Sequence, residues 1–258
     1  MRKRLTWTLA IGAAFAVAFA GIATADKPTI VQLGKIKLTL NGGFTPKKLP
    51  KSKLAGINLN VSGKIQTTDG SHPPALREVI VETDKNGEIN AKGLPVCTAA
   101  DLNSRDTQAA EKACPDAIVG SGKTDVEIAF PEQAPIIAHS KLVAFNGGVK
   151  GGKTTIFIHA FLTVPVPAAV VTTVTVSKIH NGRYGTKSVG KIPVIAGGNG
   201  SPIFFELNFG RKFTYKGKKQ SYLLAKCPDG HLDAKATSIF SDGSKLTGSF
   251  VRSCTPAG

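Results

Sequence analysis

Residues 142–162 read LVAFNGGVKGGKTTIFIHAFL, and this segment decides between two folds. Its central part, residues 147–155, contains the Gly-x-x-x-x-Gly-Lys-Thr spacing of a nucleotide-binding phosphate loop. Such a loop binds phosphate because a helix begins at the lysine and directs its N-terminal amides at the anion. Here residues 154–163 are mostly β-branched or aromatic, and Pro165 follows too soon for a useful helix. The segment is therefore predicted to be a glycine-rich hairpin between two strands, with no bound nucleotide.

A second near match to the same motif, AIVGSGKT at residues 117–124, fails the same test. The residues that follow it, DVEIAF at 125–130, alternate polar and apolar as a strand does. Both matches are thus interpreted as products of a composition rich in Gly, Lys and Thr, and no cofactor is predicted.

Most of the remaining chain has the period of two that is typical of strands with one buried face. Eight Asn-Gly or Asp-Gly dipeptides, which suit tight hairpin turns, separate these runs. The pattern predicts an antiparallel β-sandwich of about ten to twelve strands in a single domain, residues 26–258. The predicted strands are 35–40, 56–62, 79–81, 126–130, 142–145, 154–162, 170–179, 203–209, 221–225, 237–240 and 246–251.

One segment, residues 98–114, favours helix because it is rich in Ala, Gln, Glu and Lys, and it is predicted to be a short helical insertion. Asp106 or Thr107 can cap its start, and Pro115 follows its end. Cysteines at 97 and 114 bracket this segment, and two more lie at 227 and 254. Four cysteines allow three pairings; we favour Cys97 with Cys114 and Cys227 with Cys254 because each pair closes a short loop. A metal site is the alternative, but the spacings do not suit one.

The N-terminus is typical of a secretory signal peptide, which we place at residues 1–25. Basic residues 2–4 precede an apolar run at 9–22, and Ala-Thr-Ala at 23–25 supplies small residues for cleavage before Asp26. An uncleaved anchor is the alternative, although the apolar run is short for a bilayer crossing. The prediction is a secreted or cell-envelope, extracytoplasmic protein, and an even cysteine count fits disulfides there.

Patterns that would indicate catalysis are absent from the sequence. The five histidines lie in separate segments without zinc-ligand spacing, and no Gly-x-Ser-x-Gly elbow occurs. Residues 134–258 contain four carboxylates, two of them in Asp-Gly turns. No set of residues resembles a nucleophile, a base and an orienting group, so the protein is predicted not to be an enzyme and to hold no metal.

The charge is strongly positive and unevenly placed, with a formal net charge of +16 for the whole chain. Residues 134–258 carry 16 basic and 4 acidic side chains, whereas residues 76–133 carry 6 and 11. A group of cations flanks predicted turns and is expected to form a rim that attracts anionic envelope polymers or lipid head groups. The alternative is a merely solubilising coat of lysines. The predicted surface-binding residues are Lys150, Lys153, Arg211, Lys212, Lys216, Lys218 and Lys219.

Nucleic acid is disfavoured as a partner because binding of single strands requires aromatic side chains among the cations. Tyr184, Tyr215 and Tyr222 are the only tyrosines, and the one tryptophan, Trp7, falls in the predicted signal peptide.

The leading function is accordingly a non-catalytic binding or structural domain drawn to anionic surfaces. The alternative is a carrier of a small apolar ligand or lipid in a cavity between sheets, and an undetected hydrolase comes third.

Five short segments stand out along the chain: GLPVC at 93–97, PEQAP at 131–135, AFNG at 144–147, PVP at 165–167 and YLLAKC at 222–227. In this succession the chain resembles a group of uncharacterised exported proteins of high-GC Gram-positive bacteria. The resemblance covers nearly the whole chain from about residue 40 onward, and it implies export and one continuous domain. It implies no activity, ligand or site residue.

Overall fold

The computed structural model describes Ile22–Ala23 and residues 27–258, so most of the predicted signal segment, residues 1–25, lies outside the described residues. The described chain is mainly β, as predicted, with two short helices, α1 (Ala99–Leu102) and α2 (Thr107–Ala113), and single 3-10 turns at Pro115–Ala117 and Ala196–Gly198. The strands are β1 (Ile22–Ala23), β2 (Thr29–Leu33), β3 (Ile36–Thr45), β4 (Lys48–Pro50), β5 (Ala55–Gly56), β6 (Asn58–Thr67), β7 (Leu76–Asp84), β8 (Gly87–Ile89), β9 (Ile118–Ile128), β10 (Ile136–Lys150), β11 (Lys153–Leu162), β12 (Ala168–Asn181), β13 (Tyr184–Lys191), β14 (Gly200–Phe209), β15 (Lys212–Tyr215), β16 (Lys218–Ser221), β17 (Leu223–Ala225), β18 (His231–Phe240), β19 (Lys245–Ser253) and β20 (Thr255–Ala257).

Twelve of these strands form one antiparallel sheet in the order β19-β18-β7-β13-β12-β11-β10-β9-β14-β6-β3-β2, and β1 adds to β19 in parallel. The two edges of this sheet approach each other. The Thr29 hydroxyl of β2 donates to the Ser249 carbonyl of β19 at 3.2 Å, and Arg252 of β19 donates to the Gly42 carbonyl of β3. The predicted sandwich is therefore wrong in this respect, because a single sheet curls into a nearly closed, barrel-like form.

Irregularities within the long strands help this sheet to curl. The register shifts in β10 between Asn146 and Val149, and in β14 between Pro202 and Phe204. Bulges of this kind bend a strand and increase its twist, which lets a sheet close. The dipeptides Asn41-Gly42 and Asn146-Gly147, expected in turns, lie within β3 and β10 instead.

The hairpin predicted for residues 142–162 is confirmed. Strand β10 continues to Lys150, and β11 begins at Lys153, paired with β10 from Lys150↔Lys153 onward. Gly151 and Gly152 form the turn with φ angles of 57° and 73°, which glycine adopts readily. No helix follows Lys153, so the geometry on which a phosphate loop depends is not present.

The helical insertion lies on the outer face of β10, β11 and β12 and is broken in the middle. Instead of one helix over residues 98–114, α1 ends at Leu102 and α2 starts after Asp106, whose side chain accepts a hydrogen bond from Ala109 N at 2.8 Å. Leu102 is fully buried in a cluster that includes Phe145 and Val143 of β10. The apolar contacts, rather than helix length, hold this insertion in place.

Both predicted disulfides are confirmed, with S–S distances of 2.02 Å for Cys97–Cys114 and 2.01 Å for Cys227–Cys254. The described chain has no free cysteine. Bonds of this type persist in oxidising compartments, and they are consistent with an extracytoplasmic protein.

Candidate ligand-binding cavity

The barrel-like sheet encloses a cavity of about 430 Å³ lined mainly by apolar side chains. On β11 and β12 the inward-facing positions are the even-numbered ones, and Ile156, Ile158, Val170 and Val174 all line the cavity. Several of these side chains are only half-buried although they face the interior of the barrel. Their exposed part therefore faces the cavity, where close packing is incomplete. The volume lies within the range of about 300–1,000 Å³ that is typical of small-molecule sites.

The cavity is elongated along the strands. On β11 its lining extends from Ile156 to Leu162, which corresponds to about 20 Å at a rise of about 3.3 Å per residue. An extended alkyl chain fits a cavity of that length.

Small residues on one wall leave this space open. On β13 the inward positions are occupied by Ser188 and Gly190, and on β18 by Ala234, Ala236 and Ser238; all five line the cavity. Strand β7 lies between β18 and β13 and pairs with both. Its Val81 is opposite Ala236 of β18 on one side and Ser188 of β13 on the other, so these residues form one row across the wall. The short side chains on these two strands leave space toward the centre of the barrel.

The opposite wall, in contrast, carries large apolar side chains on β14, namely Phe205, Leu207 and Phe209. Glycines on the neighbouring strands make room for them. A Cβ at Gly63 of β6 would lie 2.3 Å from the Phe205 ring, and one at Gly122 of β9 would lie 1.8 Å from a main-chain oxygen of β14. Both glycines therefore allow neighbouring strands to pack closely. Gly122 belongs to the second phosphate-loop match, and this packing accounts for its presence there.

The two ends of the barrel differ. At the end formed by the start of β3 and the end of β6, the interior is closed by a packed cluster that includes Leu38, Ile65, Phe240 and Leu246, each 3% exposed or less. Ile195, beside the 3-10 turn, packs with Leu162 in a neighbouring cluster at this same end. We call this the closed end.

The other end is covered by short strands that we call the cap. It comprises residues 46–57, 85–97, 210–230 and 254–258, which form the three-stranded sheet β5-β17-β8, the β15–β16 hairpin and the parallel β4–β20 pair. Ile57, Ile89 and Leu223 of the cap line the cavity from above. Cys227–Cys254 joins two segments of the cap, the second of which follows directly from β19, and Cys97–Cys114 fastens the cap to the helical insertion.

The charged side chains that line the cavity lie at the cap end, and in the described residues they are Glu88 of the cap itself and Asp84, Asp233 and Arg252 of the barrel strands. The Asp84 carboxylate accepts hydrogen bonds from Asn86 N at 2.9 Å and from Asp233 N at 3.1 Å. Burial raises the pKa of Asp233 above its ordinary value, and the neighbouring Arg183 guanidinium, with which it forms an ion pair, opposes that rise. The cavity is thus polar at the cap and apolar toward the closed end.

Arg252 also belongs to this polar region and joins the edges of the sheet. It is 4% exposed, and its guanidinium donates to Asn41 Oδ1 at 3.2 Å and to the Lys27 carbonyl at 3.3 Å. The guanidinium lies 5.3 Å from the centre of the Phe250 ring, another inward-facing side chain. A fixed positive charge therefore stands at the polar end of an otherwise apolar channel.

Tyr222 closes the junction between the cap and the barrel. It is fully buried among Val119, Ala144, Ile156 and Val176, and burial raises the pKa of its phenol well above the ordinary value. Its hydroxyl has no hydrogen-bond partner among the residues that the structure describes. Tyr222 is also among the residues that line the cavity.

The predicted surface-binding residues lie in two hairpins at the cap end. Lys150 and Lys153 flank the β10–β11 turn, and the other five belong to or adjoin the β15–β16 hairpin: Arg211, Lys212, Lys216, Lys218 and Lys219. All are exposed except Arg211, which is half-buried and lies 3.5 Å from Asp116. Their role in binding an anionic surface stays a prediction.

Other ligand-type side chains in the described part of the chain do not form a site. Cys97, Asp101 and Cys114 approach one another within 4.8 Å, but both sulfurs belong to a disulfide. His159, on the outer face of β11, is buried under the helical insertion with Nε2 3.0 Å from the Arg105 carbonyl. Burial lowers the pKa of His159 below its ordinary value, as suits a neutral structural residue. In the described residues, no helix has the length and apolar character needed to cross a bilayer.

Comparisons with protein-family models, with curated proteins and with solved structures found no match to this chain. The resemblance to exported proteins of high-GC Gram-positive bacteria therefore depends on the quoted segments alone, and the geometry of the cavity is the basis for inferring function.

Proposed function

We propose that this protein is a non-catalytic carrier that binds one elongated apolar ligand, of the class of a single-chain lipid, inside the barrel-like sheet. The observation that carries the proposal is the channel itself, about 430 Å³ in volume and lined by apolar side chains from most strands of the sheet. A monomer interior is ordinarily packed to the density of an organic crystal. An apolar channel of this size is what a small-molecule binding site offers.

The chemistry of the lining indicates the orientation of the ligand. The apolar tail would lie along Ile158 and Val170 toward the closed end, and the polar group would lie beneath the cap near Arg252 and Asp84. Burying each methylene of such a tail is worth about 0.8 kcal/mol, so chain length is expected to dominate affinity. The disulfides support action outside the cytoplasm.

Titration calorimetry of the oxidised protein with palmitate tests this proposal. We expect one palmitate per chain, a dissociation constant in roughly the micromolar range, and weaker binding with each shortening of the chain. Native mass spectrometry of the delipidated protein should show the same single adduct. If neither palmitate nor the fluorescent fatty acid cis-parinarate binds, the carrier proposal is wrong.

A further inference from the structure

The cap end carries most of the net positive charge of the described chain. Together with the β10–β11 turn, residues 147–153, the cap forms a surface that we call the cap face. Its segments contain 14 basic side chains against 2 acidic ones, Glu88 and Asp229. The loops at the closed end, residues 34–35, 68–75, 129–135, 163–167, 192–199 and 241–244, contain one basic and three acidic side chains. Charge is thus segregated along the barrel axis.

The two lysine-bearing hairpins of the cap face are held on either side of residues 93–97. The Tyr215 ring of β15 lies against Gly93, where a Cβ would be 2.1 Å away, and Val96 lies against Gly148 of the other hairpin. Asn146 Nδ2 donates to the Pro95 carbonyl at 2.9 Å. These contacts fix the two basic turns in one surface.

Large apolar side chains are exposed among these cations. Val149 is 62% exposed and adjoins Lys150, Val96 is 56% exposed, and Leu54 is 41% exposed next to Lys53. Exposed apolar side chains surrounded by lysines are typical of surfaces that enter the head-group region of an anionic bilayer. An acidic polysaccharide would use the lysines but offers no apolar phase for these three residues.

We infer that the cap face docks on an anionic lipid membrane, and that the cavity exchanges its ligand with the bilayer beneath this face. The inference rests on the proposed carrier function. Its second support is the position of the cavity, since Ile57 and Leu223 of the cap line it and the charged lining residues lie at the same end. A lipid would leave its head group near the membrane surface and pass tail first into the channel.

Co-sedimentation with vesicles of phosphatidylcholine alone, or with phosphatidylglycerol added, tests the docking. We expect binding that requires phosphatidylglycerol and weakens at high salt. The variant Lys150→Glu/Lys153→Glu should bind at least about thirtyfold more weakly, since it removes two positive charges and adds two negative ones. Lys64→Glu/Lys245→Glu is the matched control, because both residues are exposed at other parts of the sheet and pair in register with neutral neighbours. Equal loss of binding in the two double variants would overturn the inference.

Two further variants separate a membrane from other anionic partners. Val149→Ser keeps every charge, and it should weaken binding to the anionic vesicles severalfold while leaving any retention on heparin beads unchanged. Val166→Ser, in an exposed apolar loop of the closed end, should leave vesicle binding unchanged. Retention on heparin without vesicle binding, or a dependence on Val166 rather than Val149, would contradict docking through the cap face.

The loading step is measured separately, by transfer of cis-parinarate from anionic vesicles to the protein. Lys150→Glu/Lys153→Glu should slow this transfer and leave the affinity for cis-parinarate free in solution unchanged. If the probe binds in solution and its transfer from vesicles is equally fast in both double variants, the cap face is not the loading surface, although the carrier function stands. If vesicles bind and the probe does not, the carrier function itself is wrong.

Discussion

Replacing Gly190 with leucine should fill the cavity and exclude its ligand. Gly190 faces inward on β13, and a Cβ there would meet Val174 Cγ2 at 3.4 Å and the Val79 carbonyl at 3.7 Å, which are ordinary contacts. On folding, the carbons of the new leucine side chain would move from water into the apolar channel, and each buried carbon stabilises the folded state by about 0.8 kcal/mol. Ordering the leucine side chain costs about 0.5–1 kcal/mol. We expect the free energy of unfolding to rise by roughly 2 kcal/mol, and palmitate affinity to fall at least about tenfold.

Urea denaturation of the oxidised protein, followed by circular dichroism, measures the stability change, and calorimetry measures the palmitate affinity. Thr173→Leu is the matched control, since Thr173 is exposed on the outer face of β12 and its substitution fills no internal space. The control should change neither quantity appreciably. A Gly190→Leu protein that loses more than about 1 kcal/mol of stability and keeps its palmitate affinity would refute the reasoning, because overpacking would then replace cavity filling.

Three other changes test separate parts of the structure. Gly122→Ala should lower the free energy of unfolding by about 2–3 kcal/mol because its Cβ would overlap a main-chain oxygen, whereas Gly43→Ala, with nothing within 4 Å, should have little effect by the same urea assay. Burial lowers the pKa of His159, so as the pH falls the unfolded chain takes up a proton at this residue before the folded chain does. The free energy of unfolding should therefore decline below about pH 6.5, and His159→Gln should flatten this decline in a plot of the urea midpoint against pH. Removing the cap disulfide with Cys227→Ser/Cys254→Ser should cost about 3 kcal/mol and speed the release of cis-parinarate in a stopped-flow chase; an unchanged release rate would show that the cap does not retain the ligand.

The sequence predicts strands that alternate clearly, such as β11, β12 and β14, and it misses the short edge strand β2 and the longer strand β13. Strand β13 is missed because its inward positions hold Thr186, Ser188 and Gly190, which produce no apolar period. The same small side chains leave the channel open, so one property hides the strand and makes the site.

The predicted disulfides and the hairpin at residues 147–155 follow from local spacing and turn chemistry, which a single sequence contains. The closure of the sheet depends on pairing between distant strands, such as β3 with β6 and β7 with β18, and local patterns do not encode it. For the same reason the sequence places lysines in turns but cannot show that Lys153 and Lys218 belong to one end of the barrel. That follows only from the topology.

The position of the two cystines has a consequence for when the protein can work. Both fasten the cover of the channel, and neither crosses the barrel wall elsewhere. In a chain with reduced thiols the cap would be held by non-covalent contacts alone. Under the proposed carrier function, such a chain would release its ligand faster than the oxidised chain, and stable loading would then begin only in the compartment where the thiols are oxidised.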